Sequence, residues 1–273
     1  MNILIAADME GITGVINWDQ VDSTHAEYIR FRKIMTSEVN AAIRGVYDAG
    51  VDKVIVADGH ASGSNILIED LDDRAHLNSG NDAPFSMVQG IGADINGVIF
   101  IGYHARAGTQ NAILDHTWSS RRVHNLWLND ILVGETGMNA ALCGHFGAPV
   151  IMLSGDQSVC AQAVELLGPI ETVVVKQATS RFSAESQSTE RSQEMIHAAA
   201  NRAVKRLRAG EIQAFRVGEP IQVTIEFAHS EMADKAMDMP GAKRLDGRRI
   251  TFTASDMPIA YRGFKAAVTL AAI

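Results

Sequence analysis

Cysteine is scarce in this chain, long apolar runs and an excess of positive charge are missing, and each shortage removes a class of protein. Its two cysteines, Cys143 and Cys160, stand in no CxxC pair and beside no ligand-like histidine. Neither a disulfide framework nor a zinc–thiolate site is expected. Both lie in apolar, helix-like surroundings, where free cysteine acts as a small hydrophobe, and this suits a reducing compartment. No apolar stretch approaches the roughly 18 residues of a membrane span. The chain runs almost directly into its first strand, which leaves no room for a cleavable leader. A cytoplasmic protein with no membrane partner is expected. The net charge is −8, whereas nucleic-acid binders carry a basic patch. The one basic run, Arg202 to Arg208, has its charges at helical spacing and reads as a solvated face. No nucleic-acid partner is expected. Internal repeats are absent, and the glycines at 11–14 and 59–63 match neither a Walker nor a dinucleotide fingerprint.

What is present is a globular chain of 273 residues, 47% hydrophobic and 21% charged, enough for one large domain or two smaller ones. Short apolar runs bounded by turn residues predict buried strands at about 3–7, 53–57, 97–103, 150–153 and 172–176. A helical period spans 28–49 and closes at Gly50. Strand, helix, strand with short joints implies a right-handed parallel crossover. Short helical segments are expected at 66–70 and 86–91, a hairpin at 125–133, and helices after Glu135 and after Asp156. From 177 to 191 the composition turns polar, and a long helix to Arg208 follows. Alternation at 222–227 and 249–252 predicts half-exposed strands. Between them, 229–247 reads as a long loop, and a helix closes the chain. The expected fold class is α/β: a mostly parallel sheet flanked by helices over 1–178, then a smaller α+β portion over 179–273.

The first three strands each end on a residue able to hold a metal. The first runs into Asp8, with Glu10 two further on; the second into Asp58-Gly59-His60; the third through Gly102-Tyr103 into His104. Ligands of open α/β sheets bind at the carboxyl ends of parallel strands. Extended backbone would turn Asp8 and Glu10 to the same side. Glu135 lies between Gly134 and Gly137, where the chain can crowd a ligand. Singly, each has a plainer account: a capping carboxylate, a satisfied turn histidine, a helix-terminal acid. Together, carboxylate and imidazole without thiolate suit an open site for zinc, with manganese or cobalt as alternatives. Charge favours two ions, since three acids would otherwise repel one another, and a paired site activates water near neutral pH. His116, in Leu114-Asp115-His116-Thr117-Trp118, is the expected proton carrier or oxyanion partner. His124 is its competitor.

These residues resemble the zinc-dependent D-aminopeptidases of the bacterial dipeptide-transport operon. The likeness extends along nearly the whole chain. It is densest at Asp8-Met9-Glu10-Gly11-Ile12-Thr13-Gly14, Asp58-Gly59-His60, Gly102-Tyr103-His104-Ala105-Arg106, Asp115-His116-Thr117, Val133-Gly134-Glu135 and Ser154-Gly155-Asp156. The resemblance implies a two-zinc centre held by Asp8, Glu10, His60, His104 and Glu135, and a catalytic histidine at His116. It also implies small peptide substrates and a homo-oligomeric ring, a decamer of two stacked pentamers. From His104 to Glu135 the chain is slightly longer than the family pattern, and beyond 177 it matches loosely. Two rivals share the ligand chemistry. A dinuclear phosphoesterase would use Arg106 and Arg121 or Arg122 for phosphate, and a non-catalytic binding or assembly protein would use the metal structurally.

Overall fold

The computed structural model describes residues 1–80 and 82–272. Among them the chain begins β1 (Asn2–Ala7), α1 (Ala26–Asp48), β2 (Lys53–Asp58), β3 (Ala75–Asn78) and β4 (Gly97–Ile101). A hairpin, β5 (Val123–Leu128) and β6 (Ile131–Val133), precedes α2 (Glu135–His145), β7 (Val150–Asp156) and α3 (Gln157–Leu167). Then come β8 (Glu171–Ser180), β9 (Ser183–Ser186), α4 (Thr189–Arg208) and β10 (Ile221–Phe227). The chain closes with α5 (Ser230–Ala236), β11 (Lys243–Arg244), β12 (Arg249–Ala254) and α6 (Met257–Leu270).

One sheet has the order β3-β2-β1-β4-β7-β8-β9 and is parallel except for β9. Its central strands are buried on both faces, which is why Ile3-Leu4-Ile5 and Val98-Ile99-Phe100-Ile101 read as unbroken apolar runs. Helix α4 packs on α1, closely enough that a Cβ on Gly45 would meet the carbonyl of His197 at 2.3 Å. The other sheet, β11-β12-β10-β5-β6, is antiparallel. There Ile221, Val223, Ile225 and Phe227 face inward under α6, and the intervening residues face out. The architecture is the expected α/β class, with a second sheet that also takes the 123–133 hairpin. The expected division at residue 178 concerns folding units rather than layers: β8 passes through it, and α4 lies against α1 and β8.

Local expectations differ in several places, among them β3, which is not one of the expected strands. The 66–70 segment is turn rather than helix, because Asp58 takes the Ile66 amide and Thr36 takes that of Leu67. Only Ser86–Val88 is helical in the 86–91 stretch, as one 3-10 turn. The polar stretch from 177 continues β8 and folds back as β9. The expected 229–247 loop instead holds α5 and β11, because Met232, Ala233 and Ala236 bury one face of a seven-residue helix. Among the described residues no helix is long and apolar enough to cross a membrane.

Candidate metal centre

The carboxyl ends of β2, β1 and β4 lie side by side in the sheet, and their continuations meet above it. Asp8 follows β1 directly, its amide donating to the Ile101 carbonyl at 2.8 Å. The chain then turns sharply, so Glu10 reaches the same place through a turn and not by strand alternation. Gly11 donates to the Gly102 carbonyl at 2.8 Å, and a Cβ on Gly11 would lie 2.0 Å from the Tyr103 carbonyl. Only glycine permits that crossing. His60 arrives two residues after β2, His104 after the positive-φ Gly102, and Glu135 as the first residue of α2. His116 sits on the loop between β4 and β5. The structure brings all six together, each at most 8% exposed. It leaves His124 exposed on β5.

The three imidazoles share one pattern: one ring nitrogen is tied to a backbone carbonyl, and the other faces carboxylates. His60 Nε2 donates to the Val21 carbonyl at 2.8 Å, which aims Nδ1 at Asp8 Oδ1 (3.2 Å) and Glu10 Oε2 (3.1 Å). His104 Nδ1 donates to the Ala105 carbonyl at 3.0 Å. Its Nε2 then stands 3.0 Å from Glu135 Oε1 and 3.4 Å from Asp8 Oδ2. His116 Nδ1 donates to the Leu114 carbonyl at 2.9 Å, and its Nε2 lies 3.6 Å from Glu135 Oε1. The His116 ring stacks on that of His104 at 3.9 Å, with the Trp18 ring edge-on at 5.5 Å.

A neutral imidazole in such a tautomer points a lone pair at an anion. That contact is repulsive unless a proton or a cation lies between the two. With protons alone, positive charge collects on the imidazoles. Burial opposes that, yet the Glu10 charge lifts His60 well above the usual histidine range, and Glu135 lifts His104 to about 10. Burial, then the Glu10 charge, pushes Asp8 up to about 7. Burial would raise Glu10 and Glu135 also, but the His60 and His104 charges hold both below the ordinary carboxylate range. Burial and the His104 charge pull His116 down.

The residues fit a metal. Ligand atoms of Asp8, Glu10 and His104 lie within 4.8 Å of one another, and so do those of His104, His116 and Glu135. His104 is common to both groups. Asp8 Oδ2 and His104 Nε2 are buried, yet neither has a hydrogen-bond partner among the described residues. Converging, unsatisfied oxygen and nitrogen atoms are what a shared cation requires. Back-bonded imidazoles are also the usual way a protein fixes the orientation of histidine ligands.

Several supporting residues escaped sequence reasoning. Asp58 accepts from the amides of Asn65 and Ile66 and from the Asn65 side chain, closing the loop that carries His60. Lys176 Nζ donates to the carbonyls of Glu10, Ile12 and Val15 at 2.6–2.9 Å. A lone lysine ending the apolar run Val173-Val174-Val175 was the available signal. Asp115 does not orient His116; it accepts from Gly108 and binds Arg181, tying down the loop. That loop places Asn111, Leu114 and Trp118 at positive φ, a strained backbone that persists only where its surroundings enforce it. The Trp118 amide donates to Glu135 at 2.7 Å, and the Leu114 amide to the Arg181 carbonyl.

A cavity of about 560 Å³ opens onto Asp8, Glu10, His60, His116 and Glu135. The profile of the D-aminopeptidase family matches residues 1–266, and the chain belongs to that family. It is 34% identical over 272 residues to a D-aminopeptidase of Bacillus subtilis (strain 168), covering 99% of this chain and 98% of that protein. It also superposes with a TM-score of 0.96, at 33% identity, on the Zn-dependent D-aminopeptidase DppA from Bacillus subtilis, described as a self-compartmentalizing protease. That match covers 99% of this chain and 98% of the other.

Proposed function

We propose that the chain is a zinc-dependent aminopeptidase that removes an amino-terminal D-residue from short peptides at a dinuclear centre. Asp8, Glu10, His60, His104 and Glu135 hold the ions, and His116 carries the proton. The carrying observation is the trio of imidazoles, each anchored to a backbone carbonyl and aimed at buried carboxylates. Asp8 and His104 contribute atoms that reach toward both halves of the cluster. When bound, paired divalent ions polarise the scissile carbonyl and make a water acidic enough to attack near neutral pH.

This chain's residues supply the rest. His116 offers Nε2 as a proton acceptor because Nδ1–H is committed to Leu114. It can take a proton from the attacking water and return it to the leaving amine. Trp18 and the stacked His104 ring hold it in place. Burial of the six clustered side chains strengthens each polar contact among them. Cys143 and Cys160 are buried elsewhere and take no part, so the donor set is the open oxygen–nitrogen kind rather than a structural thiolate cage.

Metal content per chain, measured together with turnover of D-Ala-D-Ala, an L-dipeptide and a phosphate monoester, tests this reading. Two zinc ions per chain and preferential cleavage of the D-dipeptide are expected. Turnover of the ester alone would establish the phosphoesterase instead. We further propose a cytoplasmic, ring-shaped decamer, supported by the relative's self-compartmentalizing description and, for the compartment, by two unpaired cysteines. Light scattering should then give ten times the 29.4 kDa chain mass; a monomer would exclude it.

A further inference from the structure

We propose that Arg121 binds the free α-carboxylate of the substrate, which makes short peptides with an unblocked carboxyl terminus the preferred substrate class. The inference rests on the peptidase reading above and assigns a cationic residue lining the same cavity.

Of the three arginines singled out as anion ligands, the structure disperses two. Arg122 turns away toward the Val268 carbonyl, and Arg106 lines a separate cavity behind His104. Arg121 alone of these borders the main cavity. It also borders a second cavity of about 390 Å³ that shares Glu10, His60, Ala61 and Ser120 with the first. The guanidinium therefore stands at the junction of both spaces, on the Glu10–His60 side of the metal ligands. It makes no hydrogen bond or ion pair among the described residues. Asp22 lies within its electrostatic reach, but that carboxylate is already bonded to Thr24. The other cation on the cavity wall, Lys265, is committed to the Ala83 carbonyl at 2.7 Å.

The same cavity is lined by the acids Asp8, Glu10, Glu135 and Asp82. The cavity lining thus combines these acids with one cationic side chain, Arg121, that has no hydrogen bond or ion pair among the described residues. A dipeptide zwitterion carries the complementary charges. Its α-carboxylate lies one residue beyond the scissile bond, about 3.8 Å further along the chain from Cα to Cα. A planar guanidinium matches a carboxylate with two parallel hydrogen bonds. Because the contact is made equally before and during reaction, its loss acts on KM rather than kcat.

The test compares D-Ala-D-Ala with its carboxamide in the zinc-loaded enzyme. The wild type should favour the acid by roughly ten- to hundredfold in kcat/KM, the worth of a charge-assisted pair. In Arg121→Ala that ratio should collapse toward one through a rise in KM for the acid, and in Arg121→Glu it should invert. Retention of the wild-type ratio in both variants would overturn the assignment while leaving the peptidase intact. So would a wild type indifferent to the carboxylate. Turnover of neither compound by the wild type would instead sink the peptidase reading, and this inference with it.

Discussion

Replacing His116 by alanine should lower kcat by about 10²- to 10⁴-fold, the usual contribution of a positioned acid–base group, with the metal content per chain preserved. The direction follows from the tautomer. Nδ1–H is held by the Leu114 carbonyl at 2.9 Å, so Nε2 presents a lone pair to the cavity. Burial disfavours the charged form of the ring and pulls its pKa below the usual histidine range, which suits it to accept a proton. No other described imidazole near the centre is free for that work, since His60 and His104 face carboxylate pairs. The same geometry permits a competing role, because His116 also groups with His104 and Glu135 as a candidate ligand. Elemental analysis of the purified variant separates the two. Loss of one ion per chain along with activity would make His116 a ligand; unchanged kcat would remove it from the chemistry.

Lys176→Met should be the most damaging substitution outside the centre itself. The lysine is 1% exposed, and its ammonium gathers three carbonyls of the 10–15 segment. Burial pulls its pKa down to about 8, against the opposing charges of Asp156, Glu38 and Glu10. Methionine fills similar space but donates nothing. The carbonyls of Glu10 and Val15 would lose their partner and that of Ile12 would keep only the Val15 amide, at about 1–3 kcal/mol for each group left unpaired before relaxation. A net loss of about 3–5 kcal/mol and a Tm lower by roughly 10 °C are expected. Because Glu10 heads the segment, zinc affinity should fall as well. Thermal unfolding with and without zinc, plus a competition titration with a chelator, measures both. A Tm within about 2 °C of wild type, less than the ~1 kcal/mol that one lost hydrogen bond represents, would show that the segment holds its shape unaided.

Both substitutions expose a limit of linear reading. His116 was visible as a histidine on a loop beyond a buried strand, but nothing in its neighbours chose between it and His124. The choice appears only when the loop folds back, with Leu114 bonded to Arg181 and Trp118 to Glu135. Adjacency in sequence does not make Asp115 a partner for His116, and its carboxylate holds Gly108 and Arg181 instead. Lys176 was legible as an oddity at the end of an apolar strand, while its three acceptors lie more than 160 residues earlier. The short α5 and β11 fell below the length at which periodicity distinguishes helix from loop.

By itself the sequence determined the class of the fold and the kind of chemistry. Short unbroken apolar runs suit strands covered on both faces, as in a parallel sheet flanked by helices. A ligand-type residue just past such a run must then emerge at the carboxyl edge of the sheet, whatever the rest of the chain does. That is local physics, and it suffices for Asp8, His60 and His104. Tertiary structure alone decided how those residues face one another, which ring nitrogen each imidazole presents, and which arginine reaches the cavity. Those features depend on contacts between segments distant in the chain, and no spacing rule encodes the direction of a side chain at the end of a folded loop.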